Sequence, residues 1–216
     1  MSIPTFCINL SAVPQRWKNM QRRFAEMNII AERWEAATPA DLGSYSYAHY
    51  LSPAQRACAK SHYEIWKHQV ANKIPVIMVF EDDALFRKDF WKILTPKIET
   101  IDATDPAWDM ILLNASEETK PLESWCLTKD QCMTAGYLLS LRGAEEFVRI
   151  STGTLYASDW MTQILQRRGH SYTYFPWLVI QELGDSAIRG AKNAADWEKA
   201  TRLLRSAGFD LSNYTD

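Results

Sequence analysis

Pro75 opens an unbroken apolar run, Val76-Ile77-Met78-Val79-Phe80, and three carboxylates, Glu81-Asp82-Asp83, follow it directly. A continuous run with β-branched residues and no polar alternation suits a central strand buried on both faces. The triplet then stands at the carboxyl end of that strand.

The rest of the chain supplies neighbours for such a strand. Thr5-Phe6-Cys7-Ile8-Asn9-Leu10 reads as a second buried strand. A helix follows, with Pro14 in its first turn and Trp17, Met20, Phe24 and Met27 along one apolar face. Residues 29–37 predict another strand, and the Tyr-rich stretch 41–50 a loop. Ser52 is placed to cap a helix that has Pro53 at its first position and carries Ala54, Cys58, Ser61, His62, Ile65 and Gln69 on one face. Further strands are expected at 108–113, 136–141 and 172–180, and helices at 143–150, 158–168 and 196–206. Strands alternating with helices predict an α/β fold with a mostly parallel central sheet flanked by helices, in which ligands gather beyond the carboxyl ends of the strands.

The 216 residues, 47% hydrophobic and 23% charged, are expected to form a single compact domain over 1–216. A net charge of -2 gives no reason to expect a nucleic-acid partner, and the pairs Arg22-Arg23 and Arg167-Arg168 read as solvated helix faces. Cys7, Cys58, Cys126 and Cys132 lack the close pairing of a zinc site and are read as reduced thiols. Residues 1–10 show neither a signal peptide nor a transmembrane anchor, so a cytoplasmic location is expected, with peripheral membrane association left open.

Three adjacent carboxylates repel one another unless water or a cation offsets them. Hard oxygen ligands suit Mg²⁺ or Mn²⁺, which combine carboxylates with waters and substrate phosphates. Taken alone, the triplet fits equally well as the start of a solvated surface loop.

Several motifs, read in order, resemble one family: Ile8-Asn9-Leu10 with Arg16 and Met20, Leu51-Ser52-Pro53, Ser61-His62, Trp66, the strand into Glu81-Asp82-Asp83, and Gly136-Tyr137-Leu138-Leu139-Ser140. The likeness continues through Gly143-Ala144-Glu145, Asp159, Pro176 and Asp185-Ser186-Ala187-Ile188. The chain resembles glycosyltransferase family 25, the lipooligosaccharide and collagen galactosyltransferases. It departs from that pattern at Ala57-Cys58-Ala59-Lys60, where a Gly-Cys or similar small pair is usual.

The resemblance implies a GT-A-type, Rossmann-like fold, a UDP-sugar donor, a divalent cation and inverting transfer of a hexose, galactose or glucose, to a glycan hydroxyl. The glycan would belong to lipooligosaccharide, another surface glycan or a glycosylated protein. Within it, Glu81 faces the donor ribose or sugar and joins Asp83 at the metal, while Asp82 shares or exchanges these roles. Asp159 is the candidate general base, although Ser158 or Asp159 serves equally as a helix cap. Asn9 and Arg16 are candidates for the uridine or diphosphate, with a surface ion pair as the other reading of Arg16. Ser61 and His62 are donor-site candidates, a core histidine being the alternative for His62. Gln181 and Ser186 are expected to close the donor site. Trp17 and Trp66 fit helix stripes; Trp125, Trp177, Tyr45, Tyr47 and Tyr50 are freer to stack on acceptor sugars. Two other functions share these residue types: a metal-dependent glycoside or phosphate-ester hydrolase, and a UDP-sugar-binding protein without turnover.

Overall fold

A computed structural model of the chain describes residues 3–115, 122–182 and 194–216. The leading run forms β1 (Thr5–Asn9), buried at every position. Pro14 starts α1 (Pro14–Glu26), and β2 (Glu32–Glu35) returns parallel to β1. β2 is shorter than the sequence predicts and largely exposed, and its charged residues suit an edge strand. Helix α2 (Pro53–Ala71) begins as expected at Ser52, whose hydroxyl accepts from the Gln55 N–H while Gln55 Oε1 accepts from the Ser52 N–H. The apolar run forms β3 (Val76–Glu81), parallel to β1 on its other side.

Next come β4 (Ala84–Phe86), α3 (Phe90–Thr104), β5 (Met110–Leu112), β6 (Trp125–Leu127), β7 (Gly136–Ser140), α4 (Leu141–Ile150), α5 (Ser158–Gln166), β8 (Ser171–Tyr174), β9 (Val179–Gln181) and α6 (Ala194–Ser206). One seven-stranded sheet has the order β2-β1-β3-β7-β5-β8-β6, and β4 pairs with β9 in a separate ribbon. The sheet is mostly parallel: β1, β2, β3, β5 and β8 share a direction, and β7 and β6 run against it.

Side chains alternate across the sheet and so divide the core in two. Ile77, Val79, Tyr137 and Leu139 pack with Ile65 and Trp66 of α2, Phe147 of α4 and Leu165 of α5. Met78, Phe80 and Leu138 pack on the opposite face with Met20 and Phe24 of α1 and Phe90 and Leu94 of α3. The result is a helix–sheet–helix α/β fold consistent with the GT-A-like class. Gly143 lets α4 approach closely, since a Cβ there would lie 2.5 Å from the Asp109 carbonyl oxygen.

Three features depart from the sequence reading. The strand expected at 172–180 is two strands, β8 in the main sheet and β9 against β4, divided around Pro176, which has no N–H for a ladder. Helix α3, with Pro96 inside it, has no counterpart in that reading. Arg23 does not face water: it is 1% exposed, and its guanidinium donates to the Asp216 and Ala84 carbonyl oxygens and pairs with Glu182 at 2.8 Å. All four cysteines are free, as expected. No helix among the described residues is long and apolar enough to cross a membrane.

Candidate functional site

The acidic triplet spans the end of β3 and the tight turn into β4. Strand alternation sends its first two carboxylates to opposite sides of the sheet, which separates their charges.

Glu81 points toward α2. Its Oε1 accepts from the Thr134 hydroxyl at 2.6 Å and lies 3.3 Å from His62 Nε2, while Oε2 accepts from Gln181 Nε2 at 3.3 Å. Burial alone would raise the pKa of this carboxyl. The His62 contact, the Thr134 hydrogen bond and the Arg16 charge together hold it below its ordinary value.

The proton positions on His62 follow from its other neighbour. Trp66 Nε1–H donates to the Tyr137 hydroxyl oxygen at 3.0 Å, and that hydroxyl lies 2.9 Å from His62 Nδ1. Assigned as donor to Nδ1, the hydroxyl satisfies both its own proton and the ring nitrogen. The imidazole therefore carries its proton on Nε2, facing Glu81. His62, Trp66 and Tyr137 are each 0% exposed, so Trp66–Tyr137–His62 is a buried hydrogen-bonded run that ends at the partly exposed Glu81. His62 is thus a hydrogen-bonded core histidine that also touches the triplet.

Asp82 points toward α1. Its Oδ1 pairs with the Arg16 guanidinium at 2.5 Å, and its Oδ2 accepts from Asn9 Nδ2 at 2.6 Å. Asn9 Oδ1 in turn accepts from Arg33 Nε at 2.9 Å, which fixes the amide's orientation. Burial pushes the Asp82 carboxyl up, and Arg16 and Asn9 offset this only in part. Burial disfavours the Arg16 charge as well, but Asp82 and Asp83 outweigh it and raise the Arg16 pKa. Asp83, 8% exposed, follows in the turn, and its carbonyl oxygen accepts from the Glu182 N–H at 2.6 Å.

The structure thus gathers Asn9, Arg16, His62, Glu81, Asp82, Asp83 and Gln181. Ser61 lies apart from the carboxylates: its hydroxyl donates to the Ala57 carbonyl and accepts from the Ala37 N–H, tying the chain after β2 to α2. Asp159 lies in the first turn of α5, where Oδ1 accepts from the Trp160 N–H at 2.8 Å. The cap position there is Ala157, so neither Ser158 nor Asp159 is the capping residue. Ser158 links this turn to the triplet, its hydroxyl lying 3.4 Å from that of Thr134. Ser186 lies outside the described residues. Of the aromatic candidates, Trp177 is buried, Trp125 lies on β6, and Tyr50 is exposed. Thr134, Tyr137 and Ser158 were not among the site candidates from sequence; Tyr137 appeared only within the strand and family motif Gly136–Ser140, and Ser158 only as a helix-cap candidate.

Two donor sets could hold a cation. Glu81 and Asp83 offer oxygen alone, which suits Mg²⁺ or Mn²⁺. Cys58, His62 and Glu81 place one ligand atom each within 4.8 Å of one another, a set that suits Zn²⁺. Burial pushes the Cys58 thiol up from its ordinary value, so a zinc ion there would have to displace its proton.

A mixed α/β sheet with an acidic turn at the carboxyl end of a central strand places these polar groups where α/β folds bind ligands. The sequence model described as "Glycosyltransferase family 25 (LPS biosynthesis protein)" matches residues 2–162, and the chain belongs to that family. It is 26% identical to the lacto-N-neotetraose biosynthesis glycosyltransferase LgtE of Neisseria meningitidis serogroup B, over 94% of this chain and 86% of that one. It is 27% identical to the lipooligosaccharide biosynthesis protein lic2B of Haemophilus influenzae, over 65% and 60%. A mouse relative named inactive glycosyltransferase 25 family member 3 is 30% identical over 66% of this chain, which spans only 28% of that protein.

Proposed function

We propose that the chain transfers a hexose, galactose or glucose, from a UDP-sugar to a glycan hydroxyl, inverting the anomeric carbon and using a divalent cation. The observation that carries this reading is the acidic turn after β3, with two carboxylates buttressed on opposite sides of the sheet and Asp83 between β3 and β4. Asp83 and Glu81 would hold Mn²⁺ or Mg²⁺, which supplies neutralising charge for the departing UDP. Arg16 and Asn9 fix Asp82 and line the α1 side of the turn, where a nucleoside diphosphate would meet a guanidinium. His62 and Thr134 hold Glu81 ionised and in one orientation. Asp159 is the carboxylate assigned to accept the hydroxyl proton. The acceptor would be a lipooligosaccharide or related glycan, met at the cytoplasmic face of a membrane.

Calorimetry of UDP with and without Mn²⁺, joined to turnover of UDP-galactose and UDP-glucose, tests this. Mn²⁺-dependent binding is expected, to be lost in Asp83→Ala and kept in Cys58→Ser, with an inverted product by NMR. Metal-independent UDP binding, or full activity in Asp83→Ala, would sink the metal assignment. The mouse relative's name favours one other reading, UDP-sugar binding without transfer, and the same calorimetry with no turnover on any glycan would establish it. Sugar released from a glycan as fast as it is transferred from a UDP donor would favour a hydrolase.

A further inference from the structure

Exposed apolar side chains grouped in one place, unlike single scattered ones, mark contact surfaces. Among the described residues, the large hydrophobic side chains left exposed include two aromatic ones, Tyr50 at 58% and Trp160 at 39%. Although 110 residues apart in sequence, they lie on two segments that the backbone joins at Leu155, just before α5. The Ala48 N–H donates to the Leu155 carbonyl and the Leu155 N–H to that of Ser46, both at 2.9 Å, which stitches the loop carrying Tyr50 to the segment entering α5. The Tyr156 ring lies against Trp160, centroids 4.5 Å apart at 40°. Burial, followed by the neighbouring Tyr156 and Asp159, pushes the Tyr50 phenol up from its ordinary value, so the three groups lie within electrostatic reach.

The place of this group matters as much as its make-up. Ser158, next to Asp159 in the same turn, approaches Thr134, and Thr134 donates to Glu81. The first turn of α5, which carries Asp159, thus adjoins the carboxylate turn on one side, while Arg16 and Asn9 occupy its α1 side. A pyranose has one face of C–H groups, which stacks on an aromatic ring, and a rim of hydroxyls, which donate to a carboxylate. An anionic membrane surface fits less well, because Asp159 stands among the rings.

We propose that Tyr50, Tyr156 and Trp160 form a stacking platform for the terminal pyranose of the acceptor glycan, with Asp159 accepting a hydrogen bond from one of its hydroxyls. This rests on the transferase reading. The platform determines acceptor affinity and leaves donor affinity alone.

Two measurements test it. In the first, Trp160→Ala and Tyr50→Ala are assayed with the donor and acceptor that support transfer. The acceptor KM is expected to rise about tenfold with the donor KM unmoved, and Trp160→Phe to recover part of the loss. In the second, which needs no turnover, the Trp160 indole N–H resonance, assigned through Trp160→Phe, is followed during titration with lactose and with methyl glucoside. A shift at millimolar sugar without donor, weakened in Tyr50→Ala, supports the platform even if no UDP-sugar is ever turned over. Unchanged acceptor KM in both alanine variants overturns the platform and leaves the transferase reading standing. An indole resonance moved by phosphatidylglycerol vesicles and by neither sugar overturns it in favour of membrane contact.

Discussion

Replacing Tyr137 by Phe removes one oxygen from a place where nothing can substitute for it. The hydroxyl accepts from Trp66 Nε1 at 3.0 Å and donates to His62 Nδ1 at 2.9 Å, and all three side chains are fully buried. In Tyr137→Phe the indole N–H and the imidazole nitrogen both lose their partner, at about 1–3 kcal/mol each. A total near 3 kcal/mol corresponds to a Tm about 6–12 °C lower for a domain of this size. The loss should be coupled to Trp66. In Trp66→Phe the ring stacked on Phe147 at 4.1 Å is kept in kind while the N–H disappears, so the double variant should be more stable than the sum of the singles by about 1–2 kcal/mol. Function should fall further than stability alone explains. Freed from its donor, His62 Nδ1 can take the proton itself and turn a lone pair toward Glu81, so kcat should drop in protein that is still folded. Urea unfolding of the four proteins in the cycle, with turnover measured well below the lowered Tm, provides the assay. A Tm within about 1 °C of the parent, or a cycle additive to within about 0.5 kcal/mol, would refute the network as drawn.

Two further outcomes concern stability alone. Asp105 accepts from His170 Nδ1 at 2.9 Å, the Tyr172 hydroxyl at 3.0 Å and the Ala107 N–H at 3.1 Å. Burial opposes its ionisation, but these donors hold its pKa below the ordinary value. A depressed carboxyl pKa stabilises the fold above the unfolded value of about 3.9, and that stability is lost as pH falls through the lower folded value. Asp105→Asn should therefore be less stable than the parent at pH 7, with the gap closing below about pH 4; a gap that is constant down to pH 3 refutes the assignment. Gly143→Ala should cost about 1–3 kcal/mol, because the new Cβ would sit 2.5 Å from a backbone oxygen and 2.8 Å from Leu139 Cδ1, and a Tm equal to the parent's would show that α4 can shift freely.

What the sequence made legible follows from what local patterns encode. The buried run before Glu81, the Ser52-Pro53 start of α2 and the stripe of α1 are statements about single elements, and each appears where its pattern lies. Helix α3 escaped because Pro96 is a breaker signal in its middle, and β4 because three residues carry no period. Arg22-Arg23 shows a different limit. The two look alike in sequence, yet Arg22 is exposed and Arg23 is buried as the donor to two distant carbonyls and Glu182, a difference set by long-range packing.

The same limit divides the candidate site. Asn9, Glu81 and Gln181 end β1, β3 and β9, and the rule that ligands gather beyond strand carboxyl ends finds them without knowledge of neighbours. Thr134 and Ser158 obey no such rule. Thr134 reaches Glu81 because β7 runs antiparallel to β3, which brings the amino end of one strand beside the carboxyl end of the other, with the Glu81 N–H donating to the Ala135 carbonyl at 3.0 Å. An apolar run such as Gly136–Ser140 reads the same in either direction along a sheet. Had β7 been parallel to β3, Thr134 would stand at the far edge of the sheet and Glu81 would lack its shortest hydrogen bond. The turn of α5 bearing Asp159 meets the triplet through that same threonine. The direction of one strand therefore joins the donor carboxylates to the proposed acceptor platform, and it is decided by pairing that no local pattern records.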